Sequence, residues 1–163
     1  MQRRKFLKQA AGAGIATGAL AAPAIVKAQP TINWRCASSF PKSLDTIYGA
    51  AEYGAKLVNE MSGGKFNIRV FAAGEIVPGL QVLDAVQNGT VEIGHTAPYY
   101  YVGKDPTWAL GTAIPFGLNA RQYNAWWYFG GGDKLYNEFS QAGGVVSLLA
   151  GNTGAQMGGW FRK

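Results

Sequence analysis

From residue 31 to residue 95 the chain alternates short strand-like runs with helical ones, and this alternation restricts the fold more than any other feature. Thr31–Ala37 (TINWRCA) reads as a first strand, followed by a loop at Ser38–Lys42 that holds Pro41. Leu44, Ile47, Ala51, Ala55 and Val58 then recur at helical spacing, with Ser43 as the predicted N-cap and Gly63-Gly64 as the stop. Phe66, Ile68, Val70 and Ala72 alternate with polar residues as a second strand. Leu80–Gln87, stopped by Asn88-Gly89, is a short helix, and Val91–His95 is a third strand. Strands separated by helices at this spacing pair in parallel through right-handed crossovers. The expected class is therefore α/β: an open, mostly parallel sheet with helices on both faces.

The second half is less regular. Residues 106–118 are mixed, and Pro115 forbids a continuous helix interior. Ala120–Phe129 and Asp133–Gln141 read as two helices separated by Gly130-Gly131-Gly132. Val145–Ala150 is apolar throughout and is predicted as a fourth, central strand, with a turn at Gly151–Gly154 and an extended run over Gln156–Phe161. That last run looks like a strand just begun, so a truncated chain is expected. Ligands of open α/β sheets sit beyond the carboxyl ends of the strands. The loops there are Ser38–Lys42, Ala73–Gly79, Thr96–Tyr101 and Gly151–Gln156.

The N-terminus carries an address. Arg3-Arg4 followed by Lys5, Phe6, Leu7 and Lys8 has the form of a twin-arginine export signal. An uncharged Ala/Gly/Ile/Leu run from Ala10 to Ala22 follows, and Val26-Lys27-Ala28 offers small residues for cleavage before Gln29. The run is too short to hold a helix across ~30 Å of hydrocarbon, so no membrane insertion is expected. Five of the 15 basic residues fall within residues 1–28 and all nine acids follow it. The remainder carries ten basic against nine acidic side chains, a net charge of +1. The basic balance belongs to targeting and gives no reason to expect a nucleic-acid partner.

Catalytic chemistry is sparse. The single histidine, His95, ends the third strand with no nucleophile or carboxylate tied to it by spacing, and reads as a hydrogen-bonded residue of a pocket wall. Cys36 is alone, so it forms no intramolecular disulfide and reads as a small buried hydrophobe. Zinc would need more His or Cys ligands. Gly130-Gly131-Gly132-Asp133-Lys134 lacks the hydroxyl residue and spacing of a phosphate loop, and Gly151 and Gly154 open no helix. What remains suits a small polar ligand. Tyr99, Tyr100 and Tyr101 combine flat walls with hydroxyls, and Asn152 and Gln156 offer amides to carboxylate oxygens or to a hard cation. Ser38, Ser39 and Phe40 lie beyond the first strand. The loops supply no arginine fork for a carboxylate, since Arg35 lies within the first strand.

The strings WRCASSFPKSLDTIYGAAE, VFAAGEIVPGLQVLDAVQNGTVEIGHT, YYYVGKDPTWAL and GNTGAQMGGWFRK resemble the solute-binding proteins of tripartite ATP-independent periplasmic (TRAP) transporters, in the subgroup that binds alpha-keto acids. The resemblance implies a periplasmic binding protein fold, type II-like, with two lobes closing on a ligand. It makes residues 29–155 the first α/β lobe and 156–163 the start of a crossover to a missing second lobe. It implies capture of a small organic acid, a 2-oxo acid such as pyruvate, with a sodium ion and no other cofactor. Membrane permease subunits would take up the ligand on an ion gradient. Tyr99 and Tyr100 match the aromatic motif near the ligand, Asn152 the amide of the GNTG turn, and Gln156 the glutamine that touches both sodium and ligand; Phe40 would be a wall residue. The arginine for the ligand carboxylate and the remaining sodium ligands would lie beyond residue 163. The alternative is an exported α/β enzyme, a hydrolase or oxidoreductase; the absence of a nucleophile–base set argues against any enzyme.

Overall fold

The computed structural model describes residues 30–154, 159, 161 and 162, of which all but Pro30 belong to the compact unit that begins at Thr31. The expected signal at 1–28, residue Gln156 and most of the extended run 156–161 lie outside the described residues.

The chain forms β1 (Ile32–Ser38), α1 (Asp45–Met61), β2 (Phe66–Phe71), α2 (Val82–Gln87), β3 (Ile93–His95), α3 (Ala120–Phe129) and α4 (Gly132–Ala142). Short 3₁₀ turns occupy Gly79–Gln81, Pro98–Tyr101 and Pro106–Gly111. The sheet has the order β2-β1-β3 and is parallel throughout. Cys36 pairs with both Val70 and Ile93, so the end of β1 is flanked on two sides. This explains its burial: Ile32–Arg35 are exposed, whereas Cys36, Ala37 and Ser38 are buried.

Helices cover both faces of that end. On the Cys36 face, α1 packs on β2, and the buried Tyr48 donates its hydroxyl hydrogen to Val70 O at 3.4 Å. On the Ala37 face, Val82 and Ala85 of α2 form one apolar cluster with Ala37 and Val91. Gly94 makes this contact possible, because a Cβ there would stand 2.8 Å from Val82 Cγ1. A second, aromatic cluster joins Leu83, Tyr101, Trp108, Tyr123, Trp127 and Tyr136 beneath α3 and α4. Trp108 meets Phe139 edge-on at 4.9 Å at its centre. Gly132 starts α4 directly against the Trp126 ring, where a Cβ would come within 2.6 Å of Cδ2. The triple glycine is thus packing and turn chemistry.

Three expectations are corrected. Ser43 does not cap α1: the N-cap is Leu44, whose N–H bonds Pro41 O, and Asp45 Oδ1 accepts the Thr46 N–H instead. Leu80–Gln87 begins as a 3₁₀ turn and becomes α-helical only at Val82. Val145–Ala150 is not a strand of the sheet. It lies extended on the aromatic cluster, with Val145 and Leu149 packed inward while Val146 and Leu148 are 69% and 86% exposed.

Candidate functional site

A cleft of about 810 Å³ opens beyond the carboxyl ends of β1 and β3. Its walls are Phe40 after β1, His95–Ala97 at the end of β3, Tyr99 and Tyr100, the Ile47 side of α1, segments 111–113 and 118–120, Tyr123, and residues 148–154. Four of the residues singled out by sequence, Phe40, Tyr99, Tyr100 and Asn152, therefore share one cavity. Gln156 lies outside the described residues. Leu118, Asn119 and Ala120 were not foreseen as wall residues; the signal was the Asn119–Gln122 capping box, which fixes where α3 starts.

The aromatic wall is continuous. The His95 ring meets Phe40 at 5.2 Å, Phe40 stands 6.2 Å from Tyr100, and Tyr100 meets Tyr99 edge-on at 4.8 Å. Burial, reinforced by the neighbouring Tyr99, raises the Tyr100 hydroxyl above its ordinary pKa, so it remains a donor at neutral pH. Thr112 Oγ1 accepts the Tyr99 N–H at 3.0 Å and fastens this turn to the opposite segment. Asn152 Oδ1 accepts the Gly154 N–H at 2.7 Å, an Asx turn that turns the amide's donor end into the group not used by the turn.

Tyr101 does not belong to the cleft. It is 2% exposed, and its hydroxyl accepts the Leu83 N–H at 3.2 Å and meets Thr96 Oγ1 at 2.8 Å. Ser39 Oγ lies 2.6 Å from both Thr96 Oγ1 and Gly79 O. An N–H at one end can only donate and a carbonyl at the other can only accept. The hydroxyl hydrogens therefore run in one direction, from Leu83 through Tyr101, Thr96 and Ser39 to Gly79. This relay ties α2, β3, β1 and the 74–79 loop together beneath the site. The Ala73–Gly79 loop itself stands off the cleft; Glu75 holds it by accepting the Ala72 N–H and pairing with Lys42.

Ser38 and His95 are in contact, with Oγ 3.1 Å from Nδ1, but they do not form a nucleophile–base pair. Ser38 is buried, its oxygen also accepts the Phe40 N–H, and the described cleft wall has no carboxylate to orient the imidazole. Nor does the described wall hold a lysine or arginine. Arg35, on the central strand β1, is engaged with Glu92 just ahead of β3, at 2.9 Å.

A family model described as bacterial extracellular solute-binding protein, family 7, matches residues 37–163. The chain belongs to that family. A curated relative, the monocarboxylate 2-oxoacid-binding periplasmic protein of Nostoc sp. (strain PCC 7120), is 51% identical over 172 residues, covering all of this chain and 46% of the relative. A TRAP transporter solute-binding protein from Bordetella bronchiseptica RB50, solved with copurified calcium and picolinate in its site, has 49% identity and a TM-score of 0.79 over 83% of this chain and 40% of its own. One from Pseudoalteromonas atlantica T6c, solved with bound sodium and pyruvate, has 41% identity and a TM-score of 0.77 over 82% and 40%. The chain thus spans less than half the length of these three relatives. The described cleft residues offer amide, hydroxyl and main-chain oxygens without a carboxylate, a set that suits a hard cation in part and leaves it without a charged ligand.

Proposed function

We propose that this chain carries the first lobe of the solute-binding subunit of a TRAP transporter, and that it captures a small 2-oxo acid such as pyruvate together with a sodium ion. In this reading residues 1–28 are a twin-arginine signal that sends the protein to the periplasm. Residues 29–155 are the first lobe, and 156–163 begin the crossover to a second. Tyr99 and Tyr100 donate hydroxyl hydrogens to ligand oxygens, Phe40 packs on the carbon skeleton, the Asn152 amide donates, and Gln156 bridges ligand and sodium. Permease subunits in the membrane would receive the ligand, with uptake driven by an ion gradient.

The observation that carries the reading is the convergence of Phe40, Tyr99, Tyr100 and Asn152 on one cleft at the carboxyl edge of a parallel sheet. The ligands named for the relatives support the same substrate class. A wall without a cationic side chain balances only part of an organic anion, so the remaining charge must come from residues outside the described cleft. The test is calorimetry on the product of the complete reading frame, with pyruvate in sodium, in calcium and without either ion. Binding should weaken by roughly tenfold or more, ~1.4 kcal/mol, on ion removal and again in Tyr100→Ala. Residues 29–163 alone should bind pyruvate far more weakly. Absence of binding to any 2-oxo acid would overturn the reading.

A further inference from the structure

We propose that His95 is a ligand-contacting donor of this cleft: Ser38 holds it as the Nε2–H tautomer, and that N–H is presented to a carboxylate oxygen of the bound acid. The inference rests on the functional reading above, which gives His95 no part in binding.

The assignment follows from counting hydrogens around Ser38. Its side chain is 1% exposed, so water cannot complete its bonding. Its oxygen accepts the Phe40 N–H at 3.1 Å and lies 3.1 Å from His95 Nδ1. The hydroxyl has one hydrogen, and the peptide N–H has no lone pair to receive it. Among the described residues Nδ1 is the acceptor within reach. Were Nδ1 to carry the hydrogen instead, two donors would converge on Ser38 and the hydroxyl hydrogen would be left buried without a partner, a costly arrangement. Nδ1 is therefore the acceptor, and the ring proton resides on Nε2.

Position makes that proton useful. The Nδ1 edge is turned toward the buried end of β1, and the opposite edge of the ring belongs to a residue that lines the cleft. His95 stands in the same aromatic wall as Phe40 and Tyr100. Burial lowers its pKa from the ordinary value, so the ring is neutral at pH 7 and donates without adding charge. Neither nitrogen then has a lone pair to offer an ion: one is occupied by Ser38 and the other is protonated. The same geometry thus assigns His95 to the anionic ligand and excludes it from holding the cation.

The chain contains one histidine, so its ring nitrogens can be read without assignment ambiguity. Long-range proton–nitrogen NMR of this chain should show a protonated Nε2 and an unprotonated Nδ1; the reverse pattern overturns the proposal. In the complete reading-frame product, His95→Phe should weaken pyruvate binding roughly tenfold, and His95→Gln, which keeps an N–H, by about threefold or less. Circular dichroism checks that each variant is folded. A folded His95→Phe protein that binds pyruvate as the wild type does also overturns the proposal. A wild-type protein that binds no 2-oxo acid instead overturns the functional reading, and this contact with it. Should His95→Phe fail to fold, the tautomer and the His95→Gln titration still decide: a Gln variant no better than His95→Ala counts against the contact.

Discussion

Asn137 grips the backbone of Ser147 with both ends of its side-chain amide: Nδ2 donates to Ser147 O at 3.0 Å, and Oδ1 accepts the Ser147 N–H at 2.8 Å. The pair reproduces what a neighbouring strand would supply, and it pins the extended segment that runs on into the cleft at residues 148–154. Asn137→Ala removes both bonds and leaves a half-buried peptide without partners. A loss of about 1–3 kcal/mol is expected in urea unfolding. Hydrogen exchange at Ser147 should accelerate while exchange in β1 changes only with global stability. Unchanged protection at Ser147 would show that the grip does not hold the segment.

That pair also explains what could be read from the sequence. An apolar run such as Val145–Ala150 announces an extended backbone; whether that backbone finds a strand or a side chain to pair with is decided by α4, which packs on the same aromatic cluster and which the run itself does not encode. Helix α3 was legible to its last residue because Asn119, Gln122 and Gly130 mark its ends locally. The start of α1 was not, because Asp45 competes with Ser43 for the same exposed N–H groups. Three consecutive tyrosines looked equivalent, yet a 3₁₀ turn advances about 120° per residue and spreads them in three directions. Tyr99 stands on the cleft wall as the most exposed of the three, Tyr100 meets Phe40 within the cleft, and Tyr101 enters the core.

Tyr101 and Tyr100 should accordingly respond differently to loss of a hydroxyl. Tyr101→Phe leaves the Leu83 N–H and the Thr96 hydroxyl without their buried partner, and should cost about 1–3 kcal/mol in stability. Tyr100→Phe should leave the melting temperature nearly unchanged and weaken pyruvate binding in the complete reading-frame product. Equal destabilisation by the two substitutions would contradict the relay beneath the cleft.

Cys36 should behave as an inert thiol. Burial between α1 and the sheet pushes its pKa up to about 11. At pH 8 roughly a thousandth of it is then thiolate, the form that reacts. Reaction with a disulfide reagent should be slow in the native protein and fast in concentrated urea. Native reactivity equal to that of a small-molecule thiol would place the side chain at the surface.

The proposed export route predicts a charge-independent requirement. Replacing Arg3-Arg4 with two lysines keeps the positive charge of the segment and removes the paired guanidinium groups. The precursor should then accumulate in the cytoplasm of an expressing bacterium, with little processed protein in the periplasmic fraction. Processing at the wild-type rate would assign the segment to another export pathway.

Arg35 on β1 and Glu92 just ahead of β3 give the sheet a pH dependence of defined sign. The Arg35 guanidinium, together with the Arg35 N–H donating at 2.7 Å, holds the Glu92 carboxyl at about 2. A carboxylate whose pKa is depressed on folding stabilises the protein above its unfolded value, 4.5 here, and loses that contribution as pH falls toward about 2. Glu75, beside Lys42, and Asp105, beside Thr107, shift in the same direction, so the whole protein weakens in acid. The Glu92 share is isolated by comparison with Glu92→Gln. The gap between the two proteins' urea midpoints should be widest above pH 5, narrow between about pH 4.5 and 2, and shrink in high salt because the pair is exposed. Parallel profiles across that range would mean that the ion pair contributes nothing to the folded state.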